Sequence, residues 1–255
     1  MNDSISTKRP RGTRWCAIGS TLAGLGLLLV AGGLLAGQAD LLSPLNTFMA
    51  YGIGGLLCLI AILLLLVGLG LSKGSGGGVA TGRAWGALLS AVLVIGLSLA
   101  LRPDTNGAPP IHDLSTDLVN PPAFDKVIPR RAADGAQNPP EYAGEEFAAA
   151  QRKAFPDLVS LTVPQPAAEV FAAAEASARA LGWEIVATDA AAGRIEATDT
   201  TAWFRFRDDV VIRLTPGAQG TVVDVRSKSR VGMGDMGTNA ARIRRFLDDL
   251  KTRLG

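Results

Sequence analysis

The sequence predicts an α+β architecture: three transmembrane helices followed by an extracytoplasmic antiparallel sheet of about five strands with two helices on one face. Three observations predict it. Three long apolar runs without a charge occupy the first hundred residues, a proline-rich stretch follows, and from residue 158 onward helical and alternating patterns are packed closely together.

The apolar runs are residues 16–37, 48–71 and 84–101, of 22, 24 and 18 residues. A hydrocarbon layer about 30 Å thick needs roughly 20 apolar residues in a helix, so each is long enough to span, the third only just. Only a helix satisfies its own backbone in lipid, so the many glycines do not argue against helicity. A cleaved signal peptide is the alternative for the first run, but its length and the two later runs oppose it. Cys16 and Cys58 lie inside or at the edge of these runs and read as apolar packing residues. Gly33-x-x-x-Gly37 and Gly82-x-x-x-Gly86 allow close helix approach, most simply among the three spans themselves.

Charge divides the chain in the same way. Through Arg102 there are seven basic and two acidic residues, and beyond it eighteen basic and twenty-one acidic. The mildly acidic rear part gives no support to nucleic-acid binding, which ordinarily shows a strongly basic domain. Lys8, Arg9, Arg11 and Arg14 precede the first span, and Lys73 and Arg83 lie between the second and third, while residues 38–47 carry no cation. The positive-inside rule therefore predicts a multi-pass protein of a bacterial cytoplasmic (inner) membrane, its N-terminus cytoplasmic and its C-terminal domain periplasmic. The expected organisation is a basic cytoplasmic tail (1–15), the spans (16–102), a proline-rich arm (103–157) and an α+β domain (158–255).

Residues 103–166 hold 11 of the 14 prolines, which excludes a long helix or a central strand there. Phe124 with Val127 and Ile128, and Tyr142 with Phe147 and Phe155, predict that this arm lies along the domain surface. Residues 158–163 read as a strand. Pro166 then opens a helix with Val170, Phe171, Ala174, Ala178 and Leu181 on one stripe, closed by Gly182. Residues 183–189 and 194–200 pair as one hairpin and 208–214 and 221–227 as a second. In the last strand Val223 and Val225 alternate with Asp224 and Arg226, which predicts one buried and one wet face, the open face carrying Arg194, Glu196, Arg213, Asp224 and Arg226. A final helix, about 238–252, buries Ile243, Phe246, Leu247 and Leu250.

Three blocks, "PPIHDLSTDLVNPPAF" (109–124), "FRFRDDVVIRL" (204–214) and "SRVGMGDMGTNAARIRRFL" (229–247), resemble an uncharacterised family called domain of unknown function 1499. The resemblance covers about residues 109–252. It implies a small extracytoplasmic domain, often membrane-tethered, and brings no established activity or catalytic residue. Its pattern is similar to Arg230, Gly232, Asp235, Gly237, Asn239 and Arg242 here.

The third block contains Gly232-x-Gly234-x-x-Gly237, the letter pattern of a dinucleotide loop, between a strand and a helix. A dinucleotide fold needs further parallel strands and an acidic residue about 20 positions on. Only 18 residues remain after Gly237, so no nucleotide is expected. The structural reading is that the glycines permit positive φ or close approach while Asp235 or Thr238 caps the helix. A small-anion site at that helix end, helped by Arg230 and Arg242, is the functional one. The candidate ligand- or anion-binding residues are accordingly Arg230, Gly232, Gly234, Asp235, Gly237, Asn239 and Arg242.

Other constellations are weaker. His112 is the single histidine, which rules out a histidine cluster or a Ser-His-Asp triad, and it reads as a surface or packing residue. Asp208 and Asp209 point to opposite faces of a strand and cannot act as a simple dyad; one of them is expected to cap a turn or pair with Arg207 or Arg213. Arg242, Arg244, Arg245, Lys251 and Arg253 read as a solvated helix face, and Trp203, Phe204 and Phe206 mostly as core. No catalytic residue, metal or cofactor is assigned. The expected function is a non-catalytic, membrane-tethered module that binds a partner protein, envelope lipid or small anion. The alternatives are a hydrolase-type enzyme centred on the loop from Arg230 to Asn239, and a structural subunit of a membrane complex.

Overall fold

The computed structural model describes residues 12–73, 78–100 and 107–255, with side chains from residue 81 in the second of these segments. The predicted cytoplasmic tail before residue 12, and residues 101–106 between the third span and the arm, lie outside them. Contacts divide the chain into two units, 1–102 and 103–255.

The first unit is three helices, α1 (Thr13–Gln38), α2 (Pro44–Leu71) and α3 (Gly78–Ala100). All three are long and apolar enough to cross a membrane. This is a multi-pass membrane protein. Ser43 accepts the Asn46 backbone N–H and Pro44 takes the first turn, a favourable start for α2. The inward face of α1 is Cys16, Gly19, Ala23, Gly26, Val30, Gly33 and Gly37, at alternating spacings of three and four. On α2 the matching row includes Thr47, Gly54, Cys58, Ala61, Leu65 and Gly68. This period of about 3.5 keeps one seam facing the partner helix, and small residues let the two backbones close on each other. A Cβ on Gly26 would stand 2.7 Å from the Gly54 carbonyl, and one on Gly37 2.5 Å from Thr47 Oγ1. The expectation for Gly33 and Gly37 therefore holds, whereas Gly82 and Gly86 have nothing within 4 Å of such a Cβ.

The second unit is one six-stranded antiparallel sheet with helices. In chain order it has β1 (Asp113–Ser115), α4 (Ile128–Ala133), α5 (Glu145–Ala154), β2 (Leu161–Val163), α6 (Ala167–Ala180), β3 (Glu184–Asp189), β4 (Arg194–Thr200), β5 (Arg207–Gly217), β6 (Gly220–Ser229) and α7 (Thr238–Leu254). The sheet order is β1-β6-β5-β4-β3, and β2 shares the outer edge of β6 with β1. Helices α6 and α7 cover one face, where Val210, Ile212, Val223 and Val225 meet Val170, Ile243 and Phe246 in a single core. Phe246 stacks on Trp183 at 5.3 Å. Gly182, at φ 81°, ends α6 as expected.

The opposite face is where the structure departs from the sequence reading. The arm is no separate segment: it supplies β1, α4 and α5 and belongs to the same unit as the sheet. Phe124 and Val127 are buried against Val211, as their spacing predicted, while Ile128 is 39% exposed. The predicted open face is consequently covered, and Glu196, Asp224 and Arg226 are buried rather than wet. The alternation on β6 separates an apolar buried face from a charged buried face. The Trp203–Phe206 run is also no core element: it forms a turn at one end of the sheet, with Trp203 56% exposed.

Candidate functional site

The arm is held to the sheet by charge. β4, β5 and β6 point Glu196, Asp209, Asp224, Arg226 and Lys228 toward it, and the arm returns Asp113, Asp117, Asp134 and Arg131. Asp113 is the centre of one cluster. Its carboxylate accepts Arg226 Nε at 2.8 Å, a second Arg226 nitrogen at 2.9 Å, Lys228 Nζ at 3.0 Å and the Ala143 N–H at 3.1 Å. The Arg226 guanidinium sits between the rings of Phe124 (4.7 Å) and Tyr142 (5.3 Å), a favourable place for a desolvated cation. Burial, and then the Asp113 charge, push the Tyr142 hydroxyl up to about 12. Burial pushes the Lys228 ammonium below its ordinary value even though Asp113 opposes the shift.

The prolines explain why side chains do this work. Beyond β1 the arm crosses the face of the sheet with several prolines and no ladder partner, so its carbonyls need other donors. Those donors are the cations of the sheet: Arg226 reaches the Pro122 and Pro140 carbonyls, Arg213 that of Asn120, Lys228 that of Glu141, and Arg194 that of Ala123. In return Glu196 accepts the Asp125 and Val127 N–H groups.

A second cluster lies on the same face. Asp209 binds Arg230 through two parallel bonds, 2.9 Å from Nε and 2.7 Å from Nη2, and also accepts Arg131. Arg230 reaches Asp134 and Thr198 as well. Burial works against the charge on Arg230, yet Asp209 and Asp134 hold it above its ordinary value; for Arg131 burial wins and the shift is downward.

Arg242 projects from α7 onto the other face of the sheet. It binds Asp199 and Asp208 at 2.6 Å each, and also Asn239 and Ser227. Asn239 completes the group by donating to Ser229 Oγ at 3.0 Å. Arg242 thus belongs to the interior, not to the solvated face of α7 expected for it. Arg244 is surface-paired with Asp157, and Arg253 with Asp249. A small cleft of about 60 Å³ beside Arg242 is lined by Leu181, Trp183, Asp199 and Arg245.

Asp235 caps α7, as predicted. Its carboxylate accepts the Gly237 N–H at 2.9 Å and the Asn239 N–H at 2.7 Å. Burial raises its carboxyl above the ordinary value, with the Asp208 charge adding to the effect, although the two N–H groups act in the other direction. Gly232 and Gly237 have φ of 93° and 82°. Gly234 serves close approach instead, since a Cβ there would stand 2.9 Å from Pro110 Cα. His112 packs edge-on against Phe147 at 5.1 Å, with Nδ1 3.2 Å from the Met233 carbonyl.

The structure therefore brings Asp235, Asn239 and Arg242 together and places Arg230 apart from them, across the sheet. The helix N-terminus offered to an anion is filled by Asp235 itself. Asp208 and Asp209 do face opposite sides, but their partners are Arg242 on one and Arg131 with Arg230 on the other, not Arg207 or Arg213. On the arm face four buried carboxylates (Asp113, Glu196, Asp209, Asp224) meet four buried cations (Arg131, Arg226, Lys228, Arg230), so the buried charge balances among the described residues. Asp113, Arg131 and Lys228 were not singled out from the sequence, and Glu196 only as part of an open face. The signal for them was the unbroken charged row 224, 226, 228 on β6, which solvent alone would not require.

No curated protein matches the chain. The profile of the family described as "Protein of unknown function (DUF1499)" matches residues 113–250, which begins at the Asp113 clasp and ends on α7. With the match spanning more than half of its length, the chain belongs to the DUF1499 family.

Proposed function

We propose that the chain is a non-catalytic, membrane-tethered module that binds a lipid or protein of the bacterial envelope through the exposed surface of its α+β domain. In this reading the N-terminus is cytoplasmic and the domain lies across the inner membrane, in keeping with the cations that flank the spans. One observation carries the proposal: buried charged residues within the family match are spent on one another. Arg226 is bound by Asp113, Arg230 by Asp209 and Arg242 by Asp208, all of them buried. Such residues specify how the arm and α7 close on the two faces of the sheet and leave recognition to the surface.

The same observation argues against the other readings. A hydrolase built on Arg230, Asp235 and Asn239 would need them around one substrate, and Arg230 is on the far side of the sheet. A small anion would compete with carboxylates already in place. For a structural subunit held through its spans, the packed seam of α1 and α2 is already used within the chain.

The test uses the full-length protein in lipid nanodiscs. No turnover of ester, phosphate or lipid substrates is expected; turnover abolished by a point substitution in the domain overturns the proposal. Replacing all three spans with an unrelated anchor should preserve the cellular phenotype. Its loss would favour the structural-subunit reading.

A further inference from the structure

The part of the arm that lies over the charged face, residues 117–142, is pinned to the rest of the domain beside β1 at both of its ends. Before it, the Thr116 N–H bonds the Val225 carbonyl at 2.9 Å. Ser115 and Gln151 of α5 exchange two hydrogen bonds, the Ser115 N–H to Oε1 at 3.0 Å and Nε2 to the Ser115 carbonyl at 2.6 Å. After it, the Ala143 N–H bonds Asp113 of β1 at 3.1 Å. The ends of this loop are thus held together whether or not its middle touches the sheet, and the entropy of closing it is already spent.

The segment contributes little to the fold beneath it. The main core takes Ile111 and Leu114 from before it and Phe155 and Leu158 from after it, but no residue from 117–142. Its own apolar contact is a small cluster, Phe124 and Val127 on Val211 with Val186 alongside. Ion pairs and bonds to its carbonyls do the rest. Two polar atoms of the segment, Arg131 Nε and the Tyr142 hydroxyl, are buried with no hydrogen-bond partner among the described residues. Each gives up water for no bond, which counts against the closed arrangement.

Each buried charge of the sheet keeps a partner when the segment lifts. Asp209 keeps Arg230, Glu196 keeps Arg194, Asp224 keeps Arg213, and Arg226 and Lys228 keep Asp113 of β1. Arg131, which the segment brings to Asp209, leaves with it into water. The large cost of breaking a buried pair comes from an uncompensated charge left behind, and none is left here. A face of this kind can also meet water without exposing the core, which lies on the other side of the sheet.

We infer that residues 117–142 form a strap that lifts from the sheet as one unit while the hairpins, α6 and α7 stay folded, so that the strap governs access to the charged face. This goes beyond the binding role proposed above and does not depend on what the exposed surface binds.

Native-state hydrogen exchange of the full-length protein in nanodiscs tests the inference. Within the strap, the Asp125 and Val127 amides donate to Glu196, and those of Gln137 and Asn138 to the Arg230 carbonyl. These four amides, from both halves of the strap, should share one opening equilibrium, on the order of 100-fold more favourable than that of the β4–β5 ladder and less dependent on denaturant. Protection equal to that of the ladder overturns the inference, because the strap then opens only with the whole domain. Four unrelated openings overturn it as well. Tyr142→Phe keeps the ring that faces Arg226 and removes the unpartnered hydroxyl. It should slow exchange at all four amides together, by about fivefold or more, with the ladder unchanged. No slowing, or slowing confined to the neighbours of residue 142, counts against a strap that moves as a unit.

Discussion

Asp209 grips Arg230 through two parallel hydrogen bonds in the closed interior between arm and sheet, with the Asp209 side chain wholly buried and that of Arg230 5% exposed. The same carboxylate holds Arg131 of α4, so a single acidic residue joins the central strand, the last family block and the arm. Removing it leaves two buried cations facing each other.

Asp209→Asn is therefore expected to destabilise the domain by about 3–5 kcal/mol, the cost of breaking a buried pair from one side. Thermal unfolding of the purified full-length protein measures it. Since Arg131 belongs to the arm, hydrogen exchange should rise first over residues 124–140. A loss below about 1 kcal/mol would mean that the clasp contributes little.

Lys228 gives a prediction with a sign in pH. Its folded pKa is lowered by burial from the ordinary 10.5, so between the folded value and 10.5 the unfolded chain binds more protons. Stability from this group then rises with pH across that window. Lys228→Met, which keeps the apolar stem, should lack this increment. The stability difference between parent and variant should move in favour of the parent as pH approaches 10.5. A difference independent of pH would show that Lys228 titrates as it does in the unfolded chain.

Asp235 carries the opposite sign. A carboxyl raised by burial binds its proton more tightly in the folded state, so its contribution falls as pH rises from 3.8 through the folded value. Asp235→Asn should flatten that slope in unfolding curves. Asp235→Ala also frees the N–H groups of Gly237 and Asn239 and should cost about 0.5–2 kcal/mol, an amount that becomes smaller as pH rises through the folded value. Equal stability of the alanine variant and the parent would remove the capping role.

In the membrane unit the prediction separates glycines that look alike in sequence. Gly26→Leu places a side chain where Gly54 and Cys58 already stand, with the Gly54 carbonyl 2.7 Å from the new Cβ. It should separate α1 from α2 and reduce the yield of folded protein from membranes. Gly86→Leu enters open space and should leave yield unchanged. Crosslinking across Gly33 and Ala50, whose Cβ positions would be 2.8 Å apart, provides the direct readout.

What the sequence determined by itself was local. The spans follow from uninterrupted apolar length, α6 and α7 from a stripe of period 3.6, and the two hairpins from alternation closed by turn residues. The cap at Asp235 was legible too, because all its partners lie within four residues. Tertiary structure alone decided what covers the second face of the sheet. Alternation along β6 says that Asp224, Arg226 and Lys228 share a side, but not whether water or protein meets them. That depends on Asp113, whose bond to Arg226 closes a loop of 113 residues, and on arm carbonyls that have no sequence signature. A charge is compatible with solvent or with a buried partner, and only the folded arm, carrying the opposite charges and the acceptors its prolines left free, selects the second.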